Sequence, residues 1–279
     1  MKEFKDKVAV ITGAASGIGR ALAERCAHEG MKIVLADVDV AALTATETAL
    51  KSTGTPVLAV VTDVSKAQDV DALAQRTLAT FGAVHLLCNN AGVWAGVSAW
   101  DSSLADWEWV LGVNLWGVIH GIHTFVPHML AQGTAGHIVN TASMAGLLTG
   151  RGPAVYRVSK HAVVALSEML YHQLAQRGAN VKVSVLCPGG VDTQILDAAR
   201  HRPAHLPAAR PLRPEEEAVR EATHHAVQTG ISPGHVAECV FRAIAADKFY
   251  ILTHPGAKAW VRTRMEDILQ ERNPTPEGS

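Results

Sequence analysis

The chain has 279 residues, is 48% apolar and 18% charged, and carries a formal net charge of −1. That length suffices to bury a large core, and the composition is that of a soluble globular protein. Near-neutral charge without a Lys/Arg block excludes the electrostatic footprint of a nucleic-acid binder or of a protein drawn to an anionic membrane.

The charged segment Met1–Lys7 is unlike a signal peptide and leads directly into Lys7–Thr12. This is the first of six short, nearly continuous apolar runs, followed by Lys32–Ala36, Val57–Val61, Leu86–Asn89, His137–Thr141 and Lys182–Cys187. Such runs are expected of strands buried on both faces of a parallel sheet. Between them, Ile18–Glu29, Val40–Ser52, Ala67–Thr80, Leu104–Gln132 and Ala154–Arg177 carry helical patterning. The βαβ alternation predicts an α/β fold, a doubly wound parallel sheet with helices on both faces and ligands at the carboxyl edge of the strands.

Residues 194–233 differ, being rich in Ala, Arg, His and Pro. Pro203, Pro207, Pro211 and Pro214 are expected to interrupt any long helix, which suggests a mobile lid insertion within a single domain spanning 1–279. Ser232-Pro233-Gly234-His235 opens a helix running to Ala246, Phe249–Thr253 forms a last strand, and 257–279 is a C-terminal tail. The cysteines Cys26, Cys88, Cys187 and Cys239 show no CxxC pairing and are expected as buried free thiols, which suits a cytoplasmic location. No apolar run is expected to reach bilayer-spanning length.

The chemistry concentrates where strands end. Gly13, Gly17 and Gly19 lie between the first strand and the first helix, with Ser16 and Ile18 among them. Glycines there permit a tight turn and close approach of backbone to a pyrophosphate at the helix N-terminus. The spacing is G-x-x-x-G-x-G rather than G-x-G-x-x-G. Asp37 ends the second strand, where a carboxylate accepts from ribose hydroxyls and repels a 2′-phosphate; no Arg or Lys adjoins it, so NAD is favoured over NADP. At Asp63-Val64 two roles stand open, an adenine-edge acceptor and a helix N-cap. Asn89-Asn90-Ala91-Gly92 ends the fourth strand; its small residues let backbone pass close to a cofactor, and Asn90 can pin neighbouring strands. Tyr156 and Lys160 share one helix face, where an ammonium can favour a phenolate whose free pKa is about 10. Ser143, after the fifth strand, can hydrogen-bond a substrate oxygen.

TGAASGIG, Asp37, Asp63-Val64, NNAG, Asn114, Ser143, YRVSK and Pro188-Gly189-Gly190-Val191-Asp192-Thr193 follow one another in the order and spacing of the short-chain dehydrogenase/reductase family, which the chain resembles over roughly 5–255. The resemblance implies a Rossmann-like fold, a nicotinamide cofactor, and a catalytic group of Asn114, Ser143, Tyr156 and Lys160. It further implies that Asn114 anchors a water leading protons from Lys160, that Thr193 contacts the nicotinamide carboxamide, and that Val191 packs beside the ring within a Pro188-Gly189 loop. It also implies a homotetramer or homodimer formed through the fourth and fifth helices. The opening MKEFKDKVAVITGAASGIG and the ending YILTHP are similar to members acting on bulky aryl or alicyclic alcohols, including lignin-type Cα-dehydrogenases.

Trp94, the Met144–Pro153 segment with Ala145, Leu147, Leu148 and Arg151, then Gly190 and Ile195 are expected around a hydrophobic secondary alcohol or ketone. Trp100, Trp107, Trp109 and Trp116 read as packing or subunit contact, Arg157 as pointing away from the site, and Arg200, Arg202, Arg210 and Arg213 as a solvated lid face. His120 and His123 lack an acidic or Cys partner, so no metal is expected, and His224-His225 reads as surface. The expected activity is NAD-linked oxidation or reduction with Tyr156 as general base or acid. Its rivals are a non-catalytic NAD-binding regulator and an epimerase or dehydratase that returns the hydride to the same substrate.

Overall fold

A computed structural model describes residues 1–150 and 152–275. Arg151, expected near the substrate, and the last residues of the tail lie outside the described residues. Strands β1 (Val8–Thr12), β2 (Lys32–Asp37), β3 (Val57–Val61), β4 (Leu86–Asn89), β5 (Gly136–Thr141), β6 (Val181–Cys187) and β7 (Tyr250–Leu252) pair in parallel, in the order β3-β2-β1-β4-β5-β6-β7. The order reverses direction between β1 and β4, and a crevice opens there at the carboxyl ends.

Strand β1 is apolar at nearly every position because each of its faces meets a helical layer. Ala9 and Ile11 pack into one cluster with Leu22 of α1 (Gly17–His28), Leu43 of α2 (Val40–Lys51) and Val240 of α8 (Pro233–Ala245). Val8 and Val10 pack into the other with Leu73 of α3 (Ala67–Phe81), Phe125 of α5 (Gly117–Ala131) and Leu170 of α6 (Ala154–Gln176). Each such side chain contributes about 1.5–3 kcal/mol on burial. The two layers hold the strand ends, and hence the crevice, in register.

The expected single helix over 104–132 is divided. Helix α4 (Leu104–Leu111) passes into a π-helical segment, Gly112–Trp116, and then into α5. The wider π turn carries the buried Asn114. By length and composition alone the 104–131 stretch is apolar enough to cross a bilayer, contrary to the sequence expectation. Its apolar face is instead taken up inside the protein, where Val118, Phe125, Val126 and Met129 are buried.

The 194–233 segment is also more ordered than its prolines suggest. A 3₁₀ stretch, Ile195–His201, precedes the 15-residue helix α7 (Pro214–Gln228). Pro214 starts that helix rather than breaking it, because an N1 proline gives up only a donor that has no helical partner. The tail folds as α9 (Ala257–Leu269). Cys26, Cys88 and Cys187 are buried free thiols, but Cys239 on α8 is half-buried, with Arg242 Nη2 at 3.3 Å from its sulfur.

One buried group predicts a pH dependence. His137 on β5 lies against Ser184 of β6 (Nε2 to Oγ, 2.7 Å), and Ser184 gives its own proton to the Lys248 carbonyl. Nε2 is therefore the protonated nitrogen, and Nδ1 is buried without a partner. Burial pushes the imidazole down to about 3. The unfolded chain takes up a proton below about 6.5 while the folded protein does not. His137 thus removes up to about 1.4 kcal/mol of stability per pH unit as pH falls through that window. His137→Val is expected to flatten the fall in urea midpoint between about pH 7 and about pH 5; an unchanged slope would acquit this residue.

Candidate active site

The turn after β1 is built by contacts rather than by sequence alone. Gly13 has φ +65°, and a Cβ there would lie 2.8 Å from the Ala91 Cα; one on Gly19 would lie 2.0 Å from the Gly13 carbonyl oxygen. Asn90 Nδ2 donates to the Thr12 carbonyl (3.0 Å), while the Asn90 and Ala91 N–H groups donate to Thr12 Oγ1 (2.9 and 3.0 Å). Asn90 therefore pins β4 to β1. Ser16 N-caps α1 without a side-chain cap bond, so Ser16, Gly17 and Ile18 present the first-turn N–H end of the helix to the crevice. Asp37 braces the turn from β2, accepting from Ala15 N–H and Asp39 N–H, each at 3.0 Å.

Asp63 lines the same space but does not cap α3, whose N-cap is Lys66. Its carboxylate instead closes a local turn, accepting from the Ser65 N–H (3.1 Å) and hydroxyl (2.6 Å). The N-cap role is thereby corrected. The Val64 carbonyl meets His120 Nδ1 at 2.9 Å, which ties that histidine to the backbone.

Helix α6 starts after Pro153 and brings Tyr156 and Lys160 onto one face, with Lys160 Nζ 5.6 Å from the phenol ring centroid. Nζ donates to the Thr141 carbonyl at the end of β5 (2.9 Å). Ser143 caps a 3₁₀ turn, accepting from Ala145 N–H at 3.1 Å and donating to the Pro188 carbonyl at 3.4 Å. Burial pushes Lys160 down to about 8. Burial also raises the Tyr156 phenol, against opposing pulls from the Ser143 hydroxyl and the Arg157 guanidinium. Among the protein's own groups, desolvation of the hydroxyl outweighs these pulls.

Asn114 stands behind this group. Its Oδ1 accepts from Val93 N–H (2.8 Å), and Nδ2 donates to the Val93 carbonyl (3.0 Å) and Ser159 Oγ (3.1 Å). Both amide hydrogens are thus committed to holding the segment after β4 against α6. Gly92 lies beside this group, a Cβ on it standing at an ordinary contact distance of 3.5 Å from Lys160 Nζ.

These elements enclose a cleft of about 1190 Å³. Its walls include Gly13, Ser16, Gly17, Ile18, Asp37, Asp63, Val64, Asn90, Ala91 and Gly92 on one side, and Ser143, Tyr156, Lys160, Pro188, Gly189, Val191 and Thr193 around the floor. Trp94, Ala145, Leu148, Gly190 and Ile195 line it as well. Gly19 and Asn114 are buried behind the walls.

Several wall residues escape a linear reading. Trp109 is buried in an apolar cluster, in line with its assignment to packing, and it also lines the cleft, as do Trp260 and His254. Arg157 does not point away; it lines the cleft and donates to the Leu148 carbonyl (3.0 Å). Arg202 is not a solvated lid residue. It pairs with Asp106 at 2.7 Å, both side chains being only 10% exposed, and its guanidinium lies 5.3 Å from the Trp109 ring. Burial acts to raise the Asp106 carboxyl, but hydrogen bonds from Arg202 and Ser103 hold it below the usual range. Arg210 and Arg213 meet Glu216, and Arg213 also meets Asp101. Arg202 and Arg213 thus reach Asp106 and Asp101, 96 and 112 residues away, which no local pattern announces, whereas Glu216 is a nearby partner.

Comparison with known proteins agrees with this geometry. The model of the family described as short chain dehydrogenase matches residues 7–204. A short-chain dehydrogenase/reductase from Burkholderia phymatum, solved in complex with NAD, superposes with a TM-score of 0.97 at 52% identity, covering 100% of both chains. The 1-deoxy-11-beta-hydroxypentalenate dehydrogenase of Streptomyces exfoliatus is 35% identical over 98% of this chain and 94% of its own. The C alpha-dehydrogenase of a Sphingobium species is 33% identical over 100% and 92%. With the parallel sheet, the glycine turn and the Ser143-Tyr156-Lys160 cluster in one crevice, these matches establish that the chain belongs to the short-chain dehydrogenase/reductase family.

Proposed function

We propose that the protein is an NAD-dependent dehydrogenase interconverting a bulky hydrophobic secondary alcohol and its ketone. The observation that supports this most is the convergence of Ser143, Tyr156 and Lys160 on a cleft whose other end is the N-terminus of α1. The N–H groups there suit a pyrophosphate. Each Asp37 oxygen retains a lone pair for a ribose hydroxyl, and its charge, with Asp39 close by, disfavours a 2′-phosphate. The Burkholderia relative, crystallised with NAD, supports the same cofactor.

When bound, the oxidised nicotinamide supplies the hydride acceptor and a positive charge near the phenol. Ser143 Oγ orients the substrate oxygen, and Tyr156 as phenolate removes the hydroxyl proton. The Lys160 ammonium favours that phenolate, and in the reverse direction the phenol returns the proton to the ketone oxygen. Trp94, Trp109, Leu148, Ile195 and Trp260 make an apolar surround, with residues 194–233 acting as lid. Similarity to a dehydrogenase of a hydroxylated pentalenate supports this substrate class.

The test is reduced-nicotinamide absorbance with NAD against a panel of aryl, alicyclic and steroid alcohols. Turnover of bulky secondary alcohols is expected; NAD binding without turnover of any of them would leave the regulator reading in its place. Asp37→Ala is expected to narrow the NAD-over-NADP ratio of kcat/KM by at least about tenfold, since like-charge repulsion of a phosphate is worth several kcal/mol. An unchanged ratio would remove Asp37 from cofactor selection.

A further inference from the structure

His254 follows β7 within the YILTHP ending and lies at the edge of the cleft, with no role assigned to it above. Its ring is bonded on both sides to one loop. The Gly189 N–H donates to Nδ1 (3.1 Å), and Nε2 faces the Gly190 carbonyl (3.2 Å). An N–H can only donate and a carbonyl only accept, so the pair defines the tautomer: Nδ1 is the acceptor and Nε2 carries the proton. Thr253 Oγ1, 2.9 Å from Nδ1, is compatible with that assignment, since its hydroxyl can donate. The fit is close, since a Cβ on Gly189 would stand 3.0–3.1 Å from the imidazole atoms.

The loop held in this way is shared with the reaction centre. The Pro188 carbonyl accepts from the Met144 N–H (2.8 Å) and from Ser143 Oγ (3.4 Å). Downstream, Val191 and Thr193 face the cleft beside the glycine turn, where a Cβ on Gly17 would approach Thr193 Cγ2 to 3.0 Å. The Gly190 carbonyl also accepts from the Ile231 N–H (3.1 Å), just beyond the lid helix α7. His254 and the lid thus grip one carbonyl from different elements.

We propose that His254 is a positioning residue of the reaction. By accepting from Gly189 and donating to Gly190, it sets the loop that brings Val191 and Thr193 to the nicotinamide end of the cleft and keeps the Pro188 carbonyl against Ser143. This rests on reading the cleft as the NAD site. His254 touches neither hydride nor proton in transit; it acts through the loop.

The experiment compares wild type with His254→Phe, which keeps a ring against Gly189 but removes both hydrogen bonds, and His254→Gln, which keeps one acceptor and one donor on a planar group. NAD affinity is measured by titration calorimetry, steady-state constants with an alcohol from the panel, and Tm alongside. His254→Phe is expected to raise the Kd and KM for NAD about tenfold to a hundredfold, the effect of leaving the part-buried Gly189 N–H unpaired and the Gly190 carbonyl with Ile231 alone, with the alcohol KM moving less. His254→Gln is expected to recover most of that loss. NAD constants unchanged in His254→Phe would overturn the proposal. So would equal impairment of both variants in step with a fall in Tm, which is what a purely structural role gives. Failure of the wild-type protein to bind NAD overturns the functional reading itself, and the proposal falls with it, whereas loss confined to the Phe variant supports both.

Discussion

Tyr156→Phe is expected to lower kcat for alcohol oxidation by about 10²–10⁴-fold, the contribution of a positioned general base. NAD affinity should change little. The substitution removes one oxygen from a partly buried ring and keeps the ring itself, with its face toward Lys160 Nζ, in place. Because Phe keeps the ring and lacks only the proton-carrying oxygen, the change is expected to cost little in folding and much in proton transfer. Single-turnover rates with NAD, beside a calorimetric Kd, separate the two effects. Undiminished turnover would remove Tyr156 as the proton carrier, and loss of NAD binding in parallel would point to a damaged site instead.

Lys160→Met is expected to pull activity and stability in opposite directions. Without the ammonium, the phenolate loses a stabilising charge, so kcat should fall by about 10²-fold and the rising limb of the oxidation pH profile should move to higher pH. Stability should rise. The amine is buried and pushed from 10.5 to about 8, so between those values the unfolded chain holds a proton that the folded protein has released. Wild-type stability therefore increases as pH climbs from about 8 to 10.5, and at neutral pH the protein carries the full cost of the buried charge. Replacing it with Met recovers about 1–3 kcal/mol at neutral pH, after allowance for the lost bond to the Thr141 carbonyl. Urea midpoints of both proteins at neutral and alkaline pH measure this. A Met variant that is less stable, or one whose pH limb does not move, would show that Lys160 serves the core and not the phenol.

Much of this site is legible in the chain because its parts are local. Gly13, Gly17 and Gly19 must stand between a strand and a helix to make the turn, and Tyr156 and Lys160 need only helical spacing to share a face. The parallel strands announce themselves because a strand covered on both faces has almost no polar position to spend, as β1 illustrates. The division of 104–132 is not announced: its apolar pattern continues across the π turn, where Asn114 is bonded to Val93 and Ser159, both distant in the chain. The roles of Arg202, Trp109 and His254 are hidden for a related reason. Each depends on a partner or neighbour that the chain brings near by folding; for Arg202 it is Asp106, 96 residues away, and for His254 it is Gly189, 65 residues away.

By itself the sequence determined the alternation of elements, the order of the motifs and the chemical types that meet at the strand ends, because backbone periodicity and glycine conformations act over a few residues. The tertiary structure alone decided how these groups are tuned and tied. The raised phenol of Tyr156, the lowered amine of Lys160 and the bracing of the Pro188–Gly190 loop by His254 are consequences of burial and long-range hydrogen bonding, which arise only when distant segments exclude water from one another.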